Sequence, residues 1–315
     1  MSQSAFFIAG DWGTSNLRLY LCERENGETR VKETRTGPGI KTADGDFEDV
    51  LFSLLGDWAN VAQDAPVILS GMIGSTLGWR EAPYLDCPAN AANVAAGRLE
   101  FSARGRNIGI VAGLKCTNPL GLPDVMRGEE LQLLGKIEVD GAVGEQLVAL
   151  PGTHNKWALL ADDRIEHFTT SLTGELFAML REHSVLIQGN AGAEFDEGAF
   201  TEGVRAAISA RAAGALHTLF ATRSRQVLGD LSADHAEAFL SGLLIGADAA
   251  GALAIYRDER SAPSTVQLIG EPALCQRYQL ALDLLGVDSR ASDAATLSVA
   301  GYGAVYEHWT QRNQT

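Results

Sequence analysis

Residues 6–21, FFIAGDWGTSNLRLYL, begin as an apolar run, break at a polar glycine turn and resume as an alternating run. That pattern predicts strand, turn, strand, with Arg18 and Tyr20 on the face opposite Leu17, Leu19 and Leu21. The i, i+3, i+4 spacing of 46–61 predicts a helix with Asp46 as its N-cap. Residues 65–75 read as a short buried strand entering a glycine-rich loop. The stretch 78–90, with two prolines, Trp79 and Tyr84, reads as loop. A strand is expected over 106–114, a helix over 124–137, and a second strand–turn–strand unit over 145–165. The second half turns helical, with helices expected over 173–189, 199–220 and 233–253. A strand, turn and helix follow over 265–286, and a last helix over 294–310. In the helix over 233–253, Gly242 and Gly246 lie one turn apart, which suits close helix packing. Strands and helices alternate along the chain, so the expected class is α/β.

The two strand–turn–strand units carry matching tips, GTSN at 13–16 and GTHN at 152–155, about one domain apart. The match reads as an internal duplication with a boundary near 145, giving units of 1–145 and 146–315. A turn of Gly and Thr between strands leaves backbone N–H groups unshielded. Two such turns facing each other can grip the phosphates of a nucleotide. Asp11, two residues before Gly13, is then placed to hold Mg²⁺. An ordinary hairpin with glycine at positive φ is the bland alternative for either turn alone. Neither GxxxxGK[ST] nor a GxGxxG after a strand occurs in the chain.

Composition narrows the partners. The 315 residues carry 25 Lys and Arg against 40 Asp and Glu, a formal charge of −15. Such a surface repels nucleic acid and anionic membrane, though it allows a locally positive cleft for a small anion. The four cysteines are scattered without CxxC spacing, which suits reduced, buried thiols rather than metal ligands. The N-terminus has no basic region before its short apolar run, and no 18 consecutive residues are apolar. A cytoplasmic protein is expected, with a homodimer as an option.

Three segments, DWGTSNLRLYL, LPGTHNKW and LIGEPALCQRY, resemble the two phosphate segments and the adenosine segment of the sugar kinase/Hsp70/actin superfamily. With GMIGSTLGWREAPYLDCPA, PDVMRGEELQLLG and TTSLTGELFAMLREHSVL, the chain resembles the 2-dehydro-3-deoxygalactonokinase family over nearly its whole length. The resemblance implies an actin-like ATPase fold: two RNase H-like domains with a nucleotide-binding cleft between them. It implies ATP-dependent phosphorylation of the C6 hydroxyl of 2-dehydro-3-deoxy-D-galactonate in galactonate breakdown, with ATP and Mg²⁺ as cofactors. Nucleotide contacts are expected from Gly13, Thr14, Ser15, Asn16, Gly152, Thr153, His154, Asn155 and Gly270. A kinase for a neutral or amino sugar, or a phosphatase or nucleotide-driven sensor, are the alternatives.

Phosphoryl transfer needs a carboxylate to orient or deprotonate the attacking hydroxyl. The expected residue is Asp124, read as opening the helix before the second phosphate turn, where related kinases carry their base. Glu129 and Glu130 are rivals, set aside as lying more than a turn inside that helix. The acid end of the substrate calls for a guanidinium. Arg18, Arg80 and Arg127 are the candidates, Lys156 a less geometric one. Ser75 and Trp79 belong to the loop expected to wall the sugar pocket.

Overall fold

The computed structural model describes residues 5–62, 64–141, 144–187, 194–257 and 265–312. The first half runs β1 (Ala5–Trp12), β2 (Asn16–Glu25), β3 (Glu28–Pro38), α1 (Ile40–Ala43), α2 (Phe47–Leu55), α3 (Trp58–Val61), β4 (Val67–Ser70), β5 (Tyr84–Asp86), α4 (Ala91–Gly97), β6 (Leu99–Ala103), β7 (Arg106–Ile110), β8 (Gly113–Thr117), β9 (Pro123–Met126) and α5 (Glu129–Asp140). The second runs β10 (Glu145–Leu150), β11 (Asn155–Ala161), β12 (Arg164–Ser171), α6 (Thr173–His183), α7 (Glu197–Ser209), α8 (Ala221–Leu228), α9 (Ala236–Arg257), β13 (Thr265–Gly270), α10 (Pro272–Leu284), β14 (Asp288–Asp293) and α11 (Ala294–Arg312).

Two sheets carry the architecture. Their strand orders are β3-β2-β1-β4-β7-β6 and β12-β11-β10-β13-β14. In both, an antiparallel three-strand meander continues into parallel strands, so the matching turn tips sit on matching units. A small sheet, β5-β8-β9, meets the second sheet at β12. The alternation in β2 divides as expected: Leu17, Leu19 and Leu21 join Ile8, Trp12 and α2 in one core. Tyr20 and Cys22 face another core, which takes residues from both sheets and from α5 and α11. A third core packs α7, α9 and α10 on the outer face of the second sheet.

Several elements depart from the sequence reading. The helix expected over 124–137 is a strand, β9, followed by a helix that starts only at Glu129. β9 pairs with β8, and Gly128 turns the chain at φ 110. The helix over 46–61 breaks at Gly56, φ 47, and Asp46 makes no side-chain capping bond. The helix over 199–220 ends at Ser209, with short 3₁₀ turns and α8 after it. Residues 188 and 189 of another expected helix lie outside the described residues. Strands β3, β6, β12 and β14 were not anticipated; all four are sheet edges, and β3 and β14 carry many exposed polar positions. All four cysteines are free, Cys22 and Cys275 buried. The segment Ala233–Tyr256, which takes in α9 except its last residue, is long and apolar enough to cross a membrane, but 67% of its most apolar window is buried in the molecule.

Close helix crossings hold the layers together. A Cβ on Gly242 would lie 2.0 Å from the Phe200 carbonyl oxygen, and one on Gly203 2.2 Å from that of Phe239, so α7 and α9 meet backbone to backbone. The same holds for α5 and α11, where a Cβ on Gly135 would lie 1.8 Å from Leu297 O and one on Gly301 2.0 Å from Leu131 O. Although α11 follows the last strand of the second sheet, it lies on the first: Tyr306 stacks on Phe7 at 4.5 Å and Tyr302 bonds Ser70 at 2.5 Å. The Arg24 guanidinium ties β2 to Glu138 of α5 and Glu307 of α11. The last helix is therefore shared by the two halves.

A methyl at Gly301 has backbone in its way and nothing flexible to move. Gly301→Ala is expected to lose roughly 1–3 kcal/mol of stability, read as a lower midpoint in thermal and denaturant unfolding. Gly251→Ala, in α9 where a Cβ meets nothing within 4 Å, should be neutral or stabilising by up to about 1 kcal/mol. Equal behaviour of the two variants would contradict the close crossing.

Candidate active site

The first turn is held by backbone alone. Gly13 N–H donates to Asn16 O at 2.9 Å, and residues 39–41 dock on the turn through Gly39 N to Ser15 O, Ile40 N to Gly13 O and Lys41 N to Thr14 O. A Cβ on Gly39 would fall 2.3 Å from the Ser15 carbonyl carbon, so the approach needs glycine there. Thr14, Ser15 and Asn16 stay exposed at the tip.

The second turn is held from inside. Gly152 N–H donates to Asn155 Oδ1 at 2.6 Å, and Asn155 Nδ2 donates to Asp248 Oδ2 at 2.7 Å and also meets the Tyr278 hydroxyl. Tyr278 OH donates to Asp248 Oδ2 at 2.5 Å, and Trp157 Nε1 to Asp248 Oδ1 at 3.1 Å. Each polar atom in this cluster finds a partner, which rigidifies the turn from beneath. The start of α6 closes on it, with Glu175 N donating to Thr153 O at 2.9 Å. His154 Nε2 pairs with Glu175. A Cβ on Gly152 would meet nothing within 4 Å, so its outer side is open. Gly270 packs against the Pro151 carbonyl, placing the β13–α10 turn beside this tip.

Beside the first turn lies a cavity of about 200 Å³ lined by Asp11, Gly13, Ser70, Gly71, Arg127, Gly128, Glu129, Ser298 and Tyr302, among others. Gly71 has φ +83, and a Cβ there would press on Trp12 O and Asp11 Oδ1. The N-terminus of α5 points its acidic first turn here. Glu129 Oε2 accepts from Arg127 N at 3.2 Å, and Glu130 Oε2 from Gly128 N at 2.6 Å. Glu129 Oε1 meets Lys156 Nζ at 3.1 Å. Asp11 is an exposed residue of β1, yet the protein packed around its carboxyl pushes it up, Arg18 draws it partly back, and Glu129 adds to the rise. Glu130 is fully buried, and burial, with the Glu129 charge beside it, pushes its carboxyl up to about 8. Arg127 Nη2 donates to Ala82 O at 2.8 Å and its guanidinium lies 4.4 Å over the Tyr84 ring. Its Nε and Nη1 are buried with no hydrogen-bond partner among the described residues. A larger cavity of about 680 Å³ lies between β2, β3 and the start of α11, and none of the residues expected to act lines it.

The structure sorts the expected residues. Asp11, Gly13 and Arg127 share the small cavity. Arg18 sits opposite Asp11 in the β1–β2 ladder, on the same face, with Tyr20 as its side-chain partner. Asp124 does not open a helix. It lies in β9, where its carboxylate accepts from Thr170 N at 2.7 Å, Thr170 Oγ1 at 2.6 Å, Val125 N at 2.9 Å and Asn118 Nδ2 at 3.3 Å. Those bonds clip β9 to β12. Ser75 is absorbed in its own turn, donating to Met72 O at 2.7 Å. Trp79 packs edge-on against Phe101 at 5.0 Å, and Arg80 lies 4.3 Å over the same ring, away from the cavity. Sequence reasoning missed Asp248, whose signal was a lone carboxylate among small apolar residues of α9. It also underrated Glu129, because the helix start was misplaced by about a turn.

Residues 11–305 match the family described as 2-keto-3-deoxy-galactonokinase. A 2-dehydro-3-deoxygalactonokinase of Escherichia coli (strain K12) is 34% identical over 303 residues, covering 96% of this chain and 98% of the relative. A protein of Rhizobium meliloti (strain 1021) assigned the same activity is 40% identical over 310 residues, covering 96% and 97%. A crystal structure from Sinorhizobium meliloti, described as a candidate 2-dehydro-3-deoxygalactonokinase, superposes with a TM-score of 0.82 at 38% identity, covering 96% of each chain. Component A of the (R)-2-hydroxyglutaryl-CoA dehydratase of Acidaminococcus fermentans superposes with a TM-score of 0.50 at 11% identity, covering 98% of this chain and 99% of that one, a likeness of fold alone.

The Glu130 carboxyl carries a pH signature. Its folded pKa, about 8, stands above the ordinary value of 4.5, so the folded chain keeps a proton that the unfolded chain releases. Its contribution is whole below the unfolded pKa and is lost as pH rises through the folded one. Glu130→Gln removes that dependence. Denaturant unfolding of both proteins from about pH 5 to about pH 9 should show the stability difference moving in favour of the variant as pH rises. A difference independent of pH would mean that Glu130 is ionised in the folded protein.

Proposed function

The chain belongs to the 2-keto-3-deoxy-galactonokinase family, and from that premise we propose how its cleft carries out the reaction. The enzyme is a sugar-acid kinase that uses ATP to phosphorylate 2-dehydro-3-deoxygalactonate in galactonate catabolism. The observation that carries the assignment of roles is the cavity joining Gly13 of the first turn to Asp11, Arg127 and Glu129.

The triphosphate lies between the two turns, held by backbone N–H groups of Gly13, Thr14, Ser15 and Asn16 on one side and of Gly152, Thr153, His154 and Asn155 on the other. The adenosine lies toward Gly270. The sugar acid enters the cavity with its C6 hydroxyl at Glu129 and its carboxylate on Arg127. Two buried, unpartnered guanidinium N–H groups are the donors a carboxylate requires, and leaving them without an acceptor is costly. Arg18, across the ladder from Asp11, is the second cation near the phosphate end.

Glu129 is the base. Its carboxylate takes the O6 proton as O6 attacks the γ-phosphorus, and the bond from that phosphorus to the bridging oxygen of ADP breaks. Asp124, whose oxygens are already committed to Thr170 and Asn118, holds the sheet beside the site and is the rival for this role.

The donor set suits Mg²⁺. Among the described residues no group of three or more metal-ligating side chains occurs, so a cation here relies on one or two carboxylates, water and phosphate oxygens, the habit of Mg²⁺. Asp11, exposed on β1 and beside the Glu129 charge, is the residue to hold it. When bound, the ion supplies charge neutralisation of the phosphates.

Coupled ADP release tests the reading. The wild type should turn over 2-dehydro-3-deoxy-D-galactonate and act poorly on galactose. Glu129→Gln should cut kcat by roughly 10²–10⁴, and Asp124→Asn should act mainly on stability. The reverse ranking of the two variants would return the base to Asp124. Arg127→Met should raise KM for the keto acid by roughly 10²-fold or more with KM for ATP unchanged. Comparable rates on galactose and the keto acid would replace the sugar-acid assignment with a neutral-sugar kinase.

A further inference from the structure

Lys156 stands one residue past the second phosphate turn and is 3% exposed. On β11 its side chain shares a face with Ala158, which belongs to the core between the two sheets. Its ammonium reaches both walls of the cleft, donating to His154 O in the turn at 3.1 Å and pairing with Glu129 Oε1 at the head of α5 at 3.1 Å. A lysine ammonium has three N–H donors and no acceptor. Two are used here, and the third has no partner among the described residues. A buried ammonium is costly unless a negative group stays beside it. If Glu129 takes a proton during the reaction, Lys156 loses the charge of its partner and needs another.

We infer that Lys156 is a further catalytic residue, a fixed cation that bonds the phosphoryl group in flight between the second turn and Glu129. The inference rests on the reading of Glu129 as base. O6 bonds to the γ-phosphorus, the phosphorus–oxygen bond to ADP breaks, and the O6 proton moves to Glu129. Lys156 keeps its protons throughout. As Glu129 becomes neutral, the phosphoryl oxygens take over as the negative partner of the ammonium. The base and the cation are thus coupled, because uptake of the proton by one frees the other for the phosphate. Charge-assisted donors placed where negative charge develops are among the largest contributions to catalysis.

The opposing reading is a structural ion pair that only joins the halves. The two separate in the full-length enzyme assayed with ATP, Mg²⁺ and the keto acid. Lys156→Met should lower kcat by roughly 10²–10³, with KM for both substrates changed by less than about threefold, the pattern of an interaction made only in the transition state. Lys156→Arg should recover part of kcat, because it restores the charge with different geometry. The unfolding midpoint of Lys156→Met should fall, since Glu129 loses its cation, so the variants are assayed well below their midpoints. If the Met variant does not fold, Lys156→Gln carries the same comparison. A variant lacking the ammonium, folded and turning over within about tenfold of wild type, would overturn the inference. So would a loss that appears in KM alone. Glu129→Gln run alongside keeps the two claims apart. Turnover retained in Glu129→Gln but lost in Lys156→Met sinks the base and leaves the cation standing, and the reverse sinks the cation alone.

Discussion

The crossing of α5 over α11 at Gly135 and Gly301 is so close that a single methyl on either residue would enter the other helix's backbone. Much of the cleft depends on it. With side chains in that contact, the helices would stand further apart. The head of α5, carrying Gly128, Glu129 and Glu130, would then withdraw from the cavity beside Gly13. The same contact lets α11 leave the second sheet and lie on the first, bringing Tyr302 to Ser70 and Tyr306 to Phe7. The middle core is consequently one continuous unit fed by both halves, and the cleft is built over it.

That placement creates an electrostatic problem which the site turns to use. The helix head offers unsatisfied N–H groups and a positive dipole end, and the chain answers with two glutamates. Glu130 is buried deeply enough to be pushed up to about 8, whereas Glu129 faces the cavity and meets Lys156. In a protein of net charge −15, the cations near Asp11 and Glu129 are local: Arg127 with two buried nitrogens unpartnered among the described residues, Lys156 on Glu129, and Arg18 opposite Asp11. Net charge speaks about solubility and partners at a distance. Pairs a few ångströms apart set the local field, most strongly where a partner is buried, as Lys156 is beside Glu129.

The misplaced start of α5 shows how a local signal fails. PDVMRGEELQLLG reads as a helix opened by Asp124, since an aspartate before an apolar periodic run is a good N-cap. The chain instead spends Pro123–Met126 on a strand, because β8 is there to pair with it and Thr170 of β12 is there to receive the carboxylate. Neither partner is near in sequence. Trp79 and Arg80 are placed in the same way: aromatic and cationic residues in a glycine-rich loop suit a sugar pocket, and Phe101, on an unanticipated strand, packs against both. The second turn was legible as a turn, while its support by Asp248, Tyr278 and Trp157 was not, since each comes from a different element.

By itself, the sequence determined the α/β class, the two like strand–turn–strand units, the residues at their tips and the long helices of the second half. These follow from periodicity and turn chemistry, which consecutive residues encode. Only the tertiary structure decided which charged groups meet. Asp11, Arg127, Glu129 and Lys156 come from β1, the turn before α5, the head of α5 and β11. Their approach depends on two sheets closing around a helix pair whose glycines touch, and no window of consecutive residues records that distance.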